Sequence, residues 1–559
     1  MMSGMQLGKR YKHLQRYREI TGVLLKHGFG HVLHNIGLLD FLSIKAKLVL
    51  KKEPVAEMLS PAQRVRLVLE ELGPTFIKIG QILSTRPDIL PPDYIKELEK
   101  LQDKVPPFSF DEVKRQIESE LALPVEELFI EFDPEPLAAA SIGQVHRAVL
   151  ADGREVAVKV RRPGIEKVIE TDIEILYDVA RFLEKRSKWA EMYSFVEMVS
   201  EFDRTLHEEL DYNAEGRNAD TFTKIFAGDD DVVIPAVYWE YTSKKVLTME
   251  YVKGVKLSNL SEIERTGLNR KALARKVARA VFKQILIDGF FHGDPHPGNL
   301  AALSGGKIVF MDFGMAGHLT EETKNKVGNL MMALISKNAD AVMKAVLDLG
   351  VVPKSVDRKL LRRDIDLLQR KYYEIPLSQI KLGEALNDTI GVAFRHHIRI
   401  PPEFALLVKS LLTLEGIVGE LDPGLSIVTV AEPFGRRMLR ERFSPRKLSG
   451  NAARHLLEMG NLLPLLPKKT YDLLDLAAEG ELKLKHQFPQ VEEITARVNI
   501  MVNRLAFGIV IAGLVVGSAL ISRGGYLLFG QVPVAEIGFF IAGVMGFWFL
   551  VSILRSGGL

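Results

Sequence analysis

Two long uncharged runs near the C-terminus constrain this chain more than any other feature of its sequence. The runs extend from Leu505 to Ile521 and from Ile537 to Leu554. Each approaches the roughly 20 residues that a helix needs to cross the hydrocarbon core of a bilayer. The pattern predicts transmembrane helices at 505–521 and 537–554, joined as a hairpin through a turn that contains Pro533. The alternative is a buried helical hairpin in a soluble core.

Composition excludes several kinds of site. The 559 residues contain no cysteine, which rules out a disulfide scaffold, a thiolate zinc site, an iron–sulfur cluster and a cysteine nucleophile. The 74 lysines and arginines nearly balance the 71 aspartates and glutamates, for a formal net charge of +3. This balance gives no indication of nucleic acid as a partner.

Two basic stretches flank the central part of the chain. Residues 1–53 form a basic segment in which apolar residues are interleaved, and residues 431–500 form a basic helical linker. Such segments either lie on anionic membrane lipid or pack as solvated helices on the main domain. The charges of the second stretch are concentrated in one cluster: Arg436, Arg437, Arg440, Arg442, Arg446 and Lys447.

The central region changes from helical to β-rich and back to helical. Residues 54–130 have helical patterns interrupted at Gly73-Pro74, Pro91-Pro92 and Pro106-Pro107. Residues 131–260 contain two alternating runs, 144–150 and 154–160, around an Asp-Gly turn, and long helical patterns near 164–187 and 194–220. Residues 261–430 are mostly helical. A small β-rich lobe followed by a helical lobe predicts an α+β fold in two lobes.

The most informative local pattern is HGDPHPGN at residues 292–299, followed by DFG at 312–314. In protein kinases this spacing places an aspartate, here Asp294, at the acceptor hydroxyl and an asparagine, here Asn299, on magnesium. The DFG aspartate, here Asp312, supplies a second magnesium ligand. A rival interpretation of His292, Asp294 and His296 is a separate metal site.

A lysine and an alanine-rich loop precede these motifs. VAVK ends at Lys159 on a predicted strand, as does the lysine that pairs with nucleotide phosphates in kinases. The segment upstream aligns with the glycine-rich phosphate loop, but alanine replaces two of its glycines, which disfavours positive φ and close approach to phosphate. The candidate nucleotide-binding residues are Ala138, Ala139, Ala140, Ser141, Gly143, Val145 and Lys159.

Two further motifs are foreign to ordinary kinases. Lys78 and Gln81, in KIGQ, share one helix face because of their i,i+3 spacing. Glu209 and Asp211 form an E-x-D motif, with Glu215 just beyond it. By charge alone, each motif could be a solvated helix face.

With these motifs in order, the sequence resembles the UbiB/ADCK family of atypical kinases. The resemblance implies a protein-kinase-like two-lobed fold with a helical N-terminal extension, C-terminal helices and a transmembrane hairpin. It implies ATP and Mg²⁺ as cofactors. The residue roles that it implies are Lys159 for phosphate pairing with Glu215 as its partner, Asp294 as the catalytic aspartate, Asn299 and Asp312 on magnesium, and Lys78, Gln81, Glu209 and Asp211 in an extension that occludes the acceptor site.

The resemblance also implies a role in isoprenoid quinone (ubiquinone) biosynthesis, at the cytoplasmic face of the bacterial inner membrane. The implied partners are a quinone precursor, other quinone biosynthesis enzymes and anionic lipid, and a homodimer is left open. Two departures from ordinary kinases weaken the expectation that the chain phosphorylates proteins. Gly293 replaces the arginine beside the catalytic aspartate, and Lys159 and Glu215 lie far apart in sequence. The alternatives are a nonenzymatic nucleotide-binding scaffold and a small-molecule kinase.

Overall fold

The computed structural model describes residues 15–31, 59–84, 86, 90–101, 106–186, 194–336, 338–353, 356–373, 379–442, 489–522, 524, 527–528 and 532–555. The chain divides into two compact units, Met1–Leu448 and Ser449–Leu559. Most of the basic segment 1–53, and residues 443–488 of the basic linker, lie outside the described residues.

The first unit begins with a helical extension. Its helices are residues 15–26, α1 (Pro61–Leu72), α2 (Pro74–Ser84) and α3 (Pro92–Leu98). Ser60 caps α1 in a capping box with Gln63, which satisfies backbone N–H groups at the start of the helix. A small core of the extension contains Leu72, Phe76 and Leu98. This core fixes α2, the helix that carries Lys78 and Gln81.

A five-stranded antiparallel sheet forms the N-lobe. Its strands are β1 (Phe129–Phe132), β2 (Ala138–Ala139), β3 (Gly143–Leu150), β4 (Glu155–Arg161) and β6 (Val246–Glu250), in the order β1-β3-β4-β6 with β2 beside β3. Val156, Val158 and Val160 of β4 are fully buried, so the alternate residue Lys159 points to the other face of the sheet.

Two helices cover the buried face of this sheet: α4 (Phe110–Leu121) and α5 (Val125–Leu128). Val113 and Ile117 of α4 share a core with the valines of β4. The sequence assigned residues 54–130 to the extension, but the stretch from 110 onwards packs as part of the N-lobe. A helix of the extension and a helix of the N-lobe have the same periodicity in sequence. Only the element against which the helix packs distinguishes the two.

Among the described residues, the α-helices between β4 and β6 are α6 (Ile165–Arg186), α7 (Phe195–Leu210) and α8 (Tyr212–Ile225). Helices α6 and α7 form the insertion between the strand lysine and its partner. The pattern at 194–220 predicted one helix, whereas the structure breaks it at Asp211. The Asp211 side chain accepts a hydrogen bond from the backbone N–H of Asn213 at 3.1 Å and so caps α8.

The C-lobe is mainly helical, with short strands around the motif loops. Its helices are α9 (Leu260–Arg265), α10 (Arg270–Phe282), α11 (Glu321–Ile335), α12 (Ala339–Leu349), α13 (Arg358–Tyr373), α14 (Leu382–Arg395), α15 (Pro402–Leu421) and α16 (Ile427–Arg442), and a π-helical turn spans Lys283–Asp288. Its strands, with β5 from the preceding segment, are β5 (Val232–Val233), β7 (Val255–Lys256), β8 (Phe290–His292), β9 (Leu300–Ala302), β10 (Ile308–Phe310) and β11 (Ala316–His318).

These short strands place the motif loops. Strand β8 pairs with β11, with His292 opposite Ala316, while β9 and β10 form an antiparallel hairpin. The HGDPHPGN loop runs from β8 to β9, and DFG lies between β10 and β11. Of the strands that follow Arg270, the sequence predicted only the one at 307–311, because strands of three residues are too short to show alternation.

The second unit contains α17 (Pro489–Ser522), the strand pair β12 (Leu527–Leu528) and β13 (Val532–Pro533), and α18 (Val534–Arg555). Among the described residues, two stretches are long and apolar enough to cross a membrane, Met501–Ser522 and Val534–Val551, and only 6% and 11% of the most apolar 18-residue window of each is buried. Helices α17 and α18 contact each other, with the rings of Phe507 and Phe549 stacked 6.0 Å apart. These features indicate membrane association by length and composition.

Candidate active site

Two cavities of the first unit meet where the motif residues lie. One, of about 1180 Å³, lies beneath the alanine-rich loop and is called the loop-side cavity. The other, of about 1320 Å³, is bordered by the helical extension and is called the extension-side cavity. Both cavities are lined by the same five residues where they adjoin: Ala139, Lys159, Glu215, Asn299 and Asp312.

Lys159 and Glu215 form a buried ion pair at this junction. The Lys159 Nζ donates hydrogen bonds to Glu215 Oε1 at 2.9 Å and Oε2 at 2.7 Å. Burial alone would lower the pKa of Lys159, but the negative charges of Glu215 and Asp312 outweigh it and raise that pKa. Lys159 is therefore a permanent cation, as a phosphate-pairing group must be.

Asp312 is held as a carboxylate beside this pair. Burial opposes ionisation, yet the charge of Lys159 and the backbone N–H of Gly314 lower the pKa of Asp312 to about 2. The Gly314 N–H donates to Asp312 Oδ1 at 2.9 Å. A carboxylate with this pKa is ionised at every physiological pH and is available as a hard oxygen ligand.

Helix α8 fixes the DFG segment as well as the ion pair. Besides Glu215, it carries Asn218, whose Nδ2 donates to the carbonyl oxygen of Phe313 at 2.9 Å. One turn further on, Phe222 packs against Phe313 with ring centroids 5.5 Å apart. The position of Asp312 is thus coupled to the helix that pairs with Lys159.

His292 organises the catalytic loop from within the core. Its Nε2 donates to the carbonyl oxygen of Asp312, and its Nδ1 accepts the backbone N–H of Asp294 at 3.1 Å. Burial lowers the pKa of His292, which keeps the ring neutral with the proton on Nε2. Gln284 accepts the His292 backbone N–H at 3.0 Å. The histidine therefore joins the Asp294 and Asp312 segments.

The alanine-rich loop is a tight turn between β2 and β3. Ala138 lies opposite Val145, and the Ala140 N–H donates to the Gly143 carbonyl at 2.8 Å. A Cβ at Gly143 would lie 2.3 Å from the Tyr212 hydroxyl and 2.6 Å from the Val160 carbonyl oxygen, so the close approach of these groups requires glycine.

The predicted nucleotide-binding residues of this loop divide in two groups. Ala138, Ala139, Ala140, Gly143 and Val145 line the loop-side cavity. Ser141 is fully buried and lines neither cavity. Its predicted contact with nucleotide therefore has no support from its placement, because its side chain points into the protein.

The KIGQ helix faces the extension-side cavity. Lys78 Nζ lies 3.3 Å from Glu209 Oε1, and both side chains are mostly buried. Gln81 Nε2 donates to the Leu101 carbonyl at 3.3 Å. Together with Asp211 and Asp294, these residues line the cavity. The extension thus borders the same cavity as Asp294.

The arrangement of the residues fits a magnesium ion at Asn299 and Asp312 better than a separate metal site at His292, Asp294 and His296. Asn299 and Asp312 offer oxygen atoms at the junction of the cavities, beside the cation of Lys159. His292 uses both ring nitrogens for hydrogen bonds to backbone groups, which leaves none for a metal. Among the described residues, no group of three or more His, Asp or Glu side chains is arranged to hold a metal ion.

Comparison with known proteins gives the family. The family model of the ABC1 atypical kinase-like domain matches residues 100–346, that of the UbiB helical domain matches 365–426, and that of the ABC1/UbiB kinase-like C-terminal domain matches 489–555. A probable protein kinase UbiB of Xanthomonas campestris is 35% identical over 538 residues, which cover 94% of this chain and 96% of the relative. The chain belongs to the ABC1/UbiB family of atypical kinases.

Other relatives of this ABC1/UbiB chain carry less informative names. An uncharacterised protein of Synechocystis is 37% identical, over 84% of this chain and 81% of its own length. A solved structure of a Mycobacterium tuberculosis protein in complex with erythromycin is 26% identical, with a TM-score of 0.44, and covers 65% of this chain and 93% of that one.

Sequence reasoning missed a charged residue of this ABC1/UbiB chain that contacts Asp294 directly. Lys409 Nζ donates to Asp294 Oδ2 at 3.1 Å and lines the extension-side cavity. It lies on α15, within the segment matched by the UbiB helical domain. One feature of the sequence could have drawn attention to this residue: Lys409 is the only charged residue in the otherwise uncharged run from Ala405 to Leu414.

Proposed function

We propose that this protein is an ATP-dependent atypical kinase or ATPase that supports isoprenoid quinone (ubiquinone) biosynthesis at the bacterial inner membrane. The observation that carries the proposal is the junction of the two cavities at Lys159, Glu215, Asn299 and Asp312. One cavity is suited to a nucleotide and the other to an acceptor. The permanent charges of Lys159 and Asp312 support phosphate and magnesium binding, respectively.

The proposed chemistry assigns one task to each residue. Lys159 pairs with phosphate oxygens, and Asn299 and Asp312 hold Mg²⁺, which neutralises charge on the β- and γ-phosphates when bound. Asp294 accepts the proton of the attacking hydroxyl or water. As the new oxygen–phosphorus bond forms, the bond between the γ-phosphorus and the ADP oxygen breaks and ADP leaves. The remaining residues orient these groups and exclude water.

The borders of the extension-side cavity favour a small amphipathic acceptor or ligand over a protein segment. Helices α2 and α3 border this cavity, where a protein substrate of an ordinary kinase would bind. Its lining combines the charged groups near Asp294 with apolar side chains: Ile95, Leu98, Leu101, Val408 and Leu412. A polar head could meet Asp294 while an apolar tail contacts these residues. This supports ATP-driven handling of a lipid precursor.

The second unit supports a location at the membrane. We propose that α17 and α18 span the bilayer as a hairpin, with the first unit on the cytoplasmic face. The end of α16 supports contact with anionic lipid, because Arg436, Arg437 and Arg440 are exposed there and cations are drawn to anionic headgroups. Other quinone biosynthesis enzymes are the proposed protein partners.

The experiment measures quinone in a strain from which the chain's own gene is deleted. Wild-type protein and the exposed control Asp348→Asn should both restore quinone, whereas Asp294→Asn should not, at equal protein levels in the membrane. Full rescue by Asp294→Asn would refute an enzymatic role and favour a scaffold. Failure of the wild type to restore any quinone would refute the assigned pathway.

A further inference from the structure

Helix α15 contacts the catalytic loop at three consecutive residues. The Ser410 Oγ donates to the carbonyl oxygen of His292 at 2.9 Å. A Cβ built on Gly293 would lie 2.8 Å from the Leu406 side chain, so Leu406 fills the space beside this glycine. Lys409 Nζ then donates to Asp294 Oδ2 at 3.1 Å. One face of α15 therefore contacts each of the loop residues His292, Gly293 and Asp294 in turn.

This packing explains the glycine at position 293. The side chain of an arginine there would require the volume that Leu406 occupies. The loop therefore has no arginine next to Asp294. Helix α15 supplies a positive charge to Asp294 instead, through Lys409. The cation that contacts Asp294 therefore comes from α15 and not from the catalytic loop.

Lys409 lies in a partly enclosed and charged environment. The exposed fractions of the two side chains are 24% for Lys409 and 31% for Asp294. On the side of the extension, burial raises the pKa of Glu99, and the positive charge of Lys409 partly offsets that rise. The Glu99 carboxyl therefore also interacts electrostatically with Lys409. Lys409 is therefore the cation shared by the catalytic loop, the extension and the extension-side cavity.

We propose that Lys409 is a positioning residue for the phosphoryl transfer assigned to this site, an inference that rests on the proposed function. It holds the Asp294 carboxylate on the acceptor side of the cavity. It also offsets the negative charge of that carboxylate, which would otherwise repel the phosphates of the nucleotide. The helical domain after the kinase-like region thereby becomes part of the active site.

The test compares Lys409→Met, Lys409→Arg and the exposed control Lys344→Met in full-length protein. Phosphate release gives kcat and KM, and a fluorescent ATP analogue gives nucleotide affinity separately. Lys409→Met should lower kcat by on the order of 10²-fold with ATP affinity changed less than about threefold, because Lys159, Asn299 and Asp312 remain. Lys409→Arg should recover part of kcat.

A second measurement is independent of activity. In nucleotide-free protein, amide hydrogen exchange across residues 290–299 should rise in Lys409→Met, rise less in Lys409→Arg and stay unchanged in Lys344→Met. Wild-type kcat in Lys409→Met would overturn the inference. Equal loss of nucleotide affinity and thermal stability in both Lys409 variants would also overturn it, by showing a purely structural role. Absence of phosphate release by the wild type would instead refute the proposed function.

Discussion

Lys159 on a strand of the N-lobe donates hydrogen bonds to both carboxylate oxygens of Glu215, at 2.9 and 2.7 Å. Helices α6 and α7 lie between these residues in the chain, and α8 returns Glu215 to the face of the sheet on which Lys159 lies. Asp312 lies close enough to raise the pKa of the same lysine. Lys159 is thus the cation between two carboxylates.

This arrangement predicts how the pair responds to mutation. Lys159→Met leaves the buried charges of Glu215 and Asp312 uncompensated, which should destabilise the fold by about 3–5 kcal/mol. The double variant Lys159→Met, Glu215→Leu should regain much of the lost stability, since it removes one of those charges. Thermal denaturation of the purified proteins measures both effects. Wild-type stability in the single variant would show that the ion pair is solvated.

The sequence was sufficient to locate the motif residues but not all of their partners. Asp294, Asn299 and Asp312 were found because a loop motif fixes their spacing. Glu215 was named as the partner of Lys159 because the family resemblance implies that pairing. Lys409 was missed because it reaches Asp294 across 115 residues and its helix has no motif. Contacts between distant elements depend on packing, which local periodicity does not record.

Asp312 should be required for magnesium-dependent nucleotide binding. Its carboxylate, with the amide oxygen of Asn299, provides the oxygen ligands at the junction of the cavities. Asp312→Asn should abolish the increase in melting temperature that Mg²⁺ and ATP together produce, whereas Asp348→Asn on α12 should leave it intact. If Asp312→Asn retains the full magnesium-dependent shift, the ligand assignment is wrong.

The alanine-rich loop and the extension should both restrain phosphoryl transfer to protein. Ala140→Gly increases the backbone freedom of the turn in which the residue 140 N–H donates to the Gly143 carbonyl. Lys78→Ala removes the ion-pair partner of Glu209. We expect Ala140→Gly to alter nucleotide preference, and both variants to raise incorporation of labelled phosphate into the protein itself while impairing quinone rescue. Ala122→Gly is the control, because φ at Ala122 is already 58° and the residue lies outside both cavities.

Two outcomes would contradict this account of occlusion. Strong phosphorylation of added proteins by the wild type would show that the extension does not block the acceptor side. Inert variants that restore quinone fully would show that the loop and the KIGQ helix serve packing alone.

A partly buried carboxyl on α15 predicts a specific pH dependence of stability. Glu415 accepts the backbone N–H of Gly383 at 2.8 Å, but burial is the larger effect and raises its pKa to about 7. In the unfolded chain the pKa is about 4.3. Between these values the folded state binds more protons, so this residue's contribution to stability falls as pH rises from about 4.3 to 7 and is constant above.

The comparison of Glu415→Gln with wild type isolates this effect. The melting temperature of the variant minus that of the wild type should increase between pH 5.5 and 7.5, because only the wild type loses a proton. Glu420→Gln, on the exposed side of the same helix, should give a difference that does not change with pH. A pH-independent difference for Glu415→Gln would show that Glu415 is solvated.

The most direct test of the central claim is phosphate release by purified full-length protein, with and without liposomes that contain anionic lipid. The account predicts magnesium-dependent release from ATP that the liposomes increase, and its loss in Asp294→Asn. A chain truncated after Leu448 should no longer float with the liposomes. Release that is absent from the wild type, or equal in Asp294→Asn, would contradict the assignment of this site as an ATP-dependent enzyme.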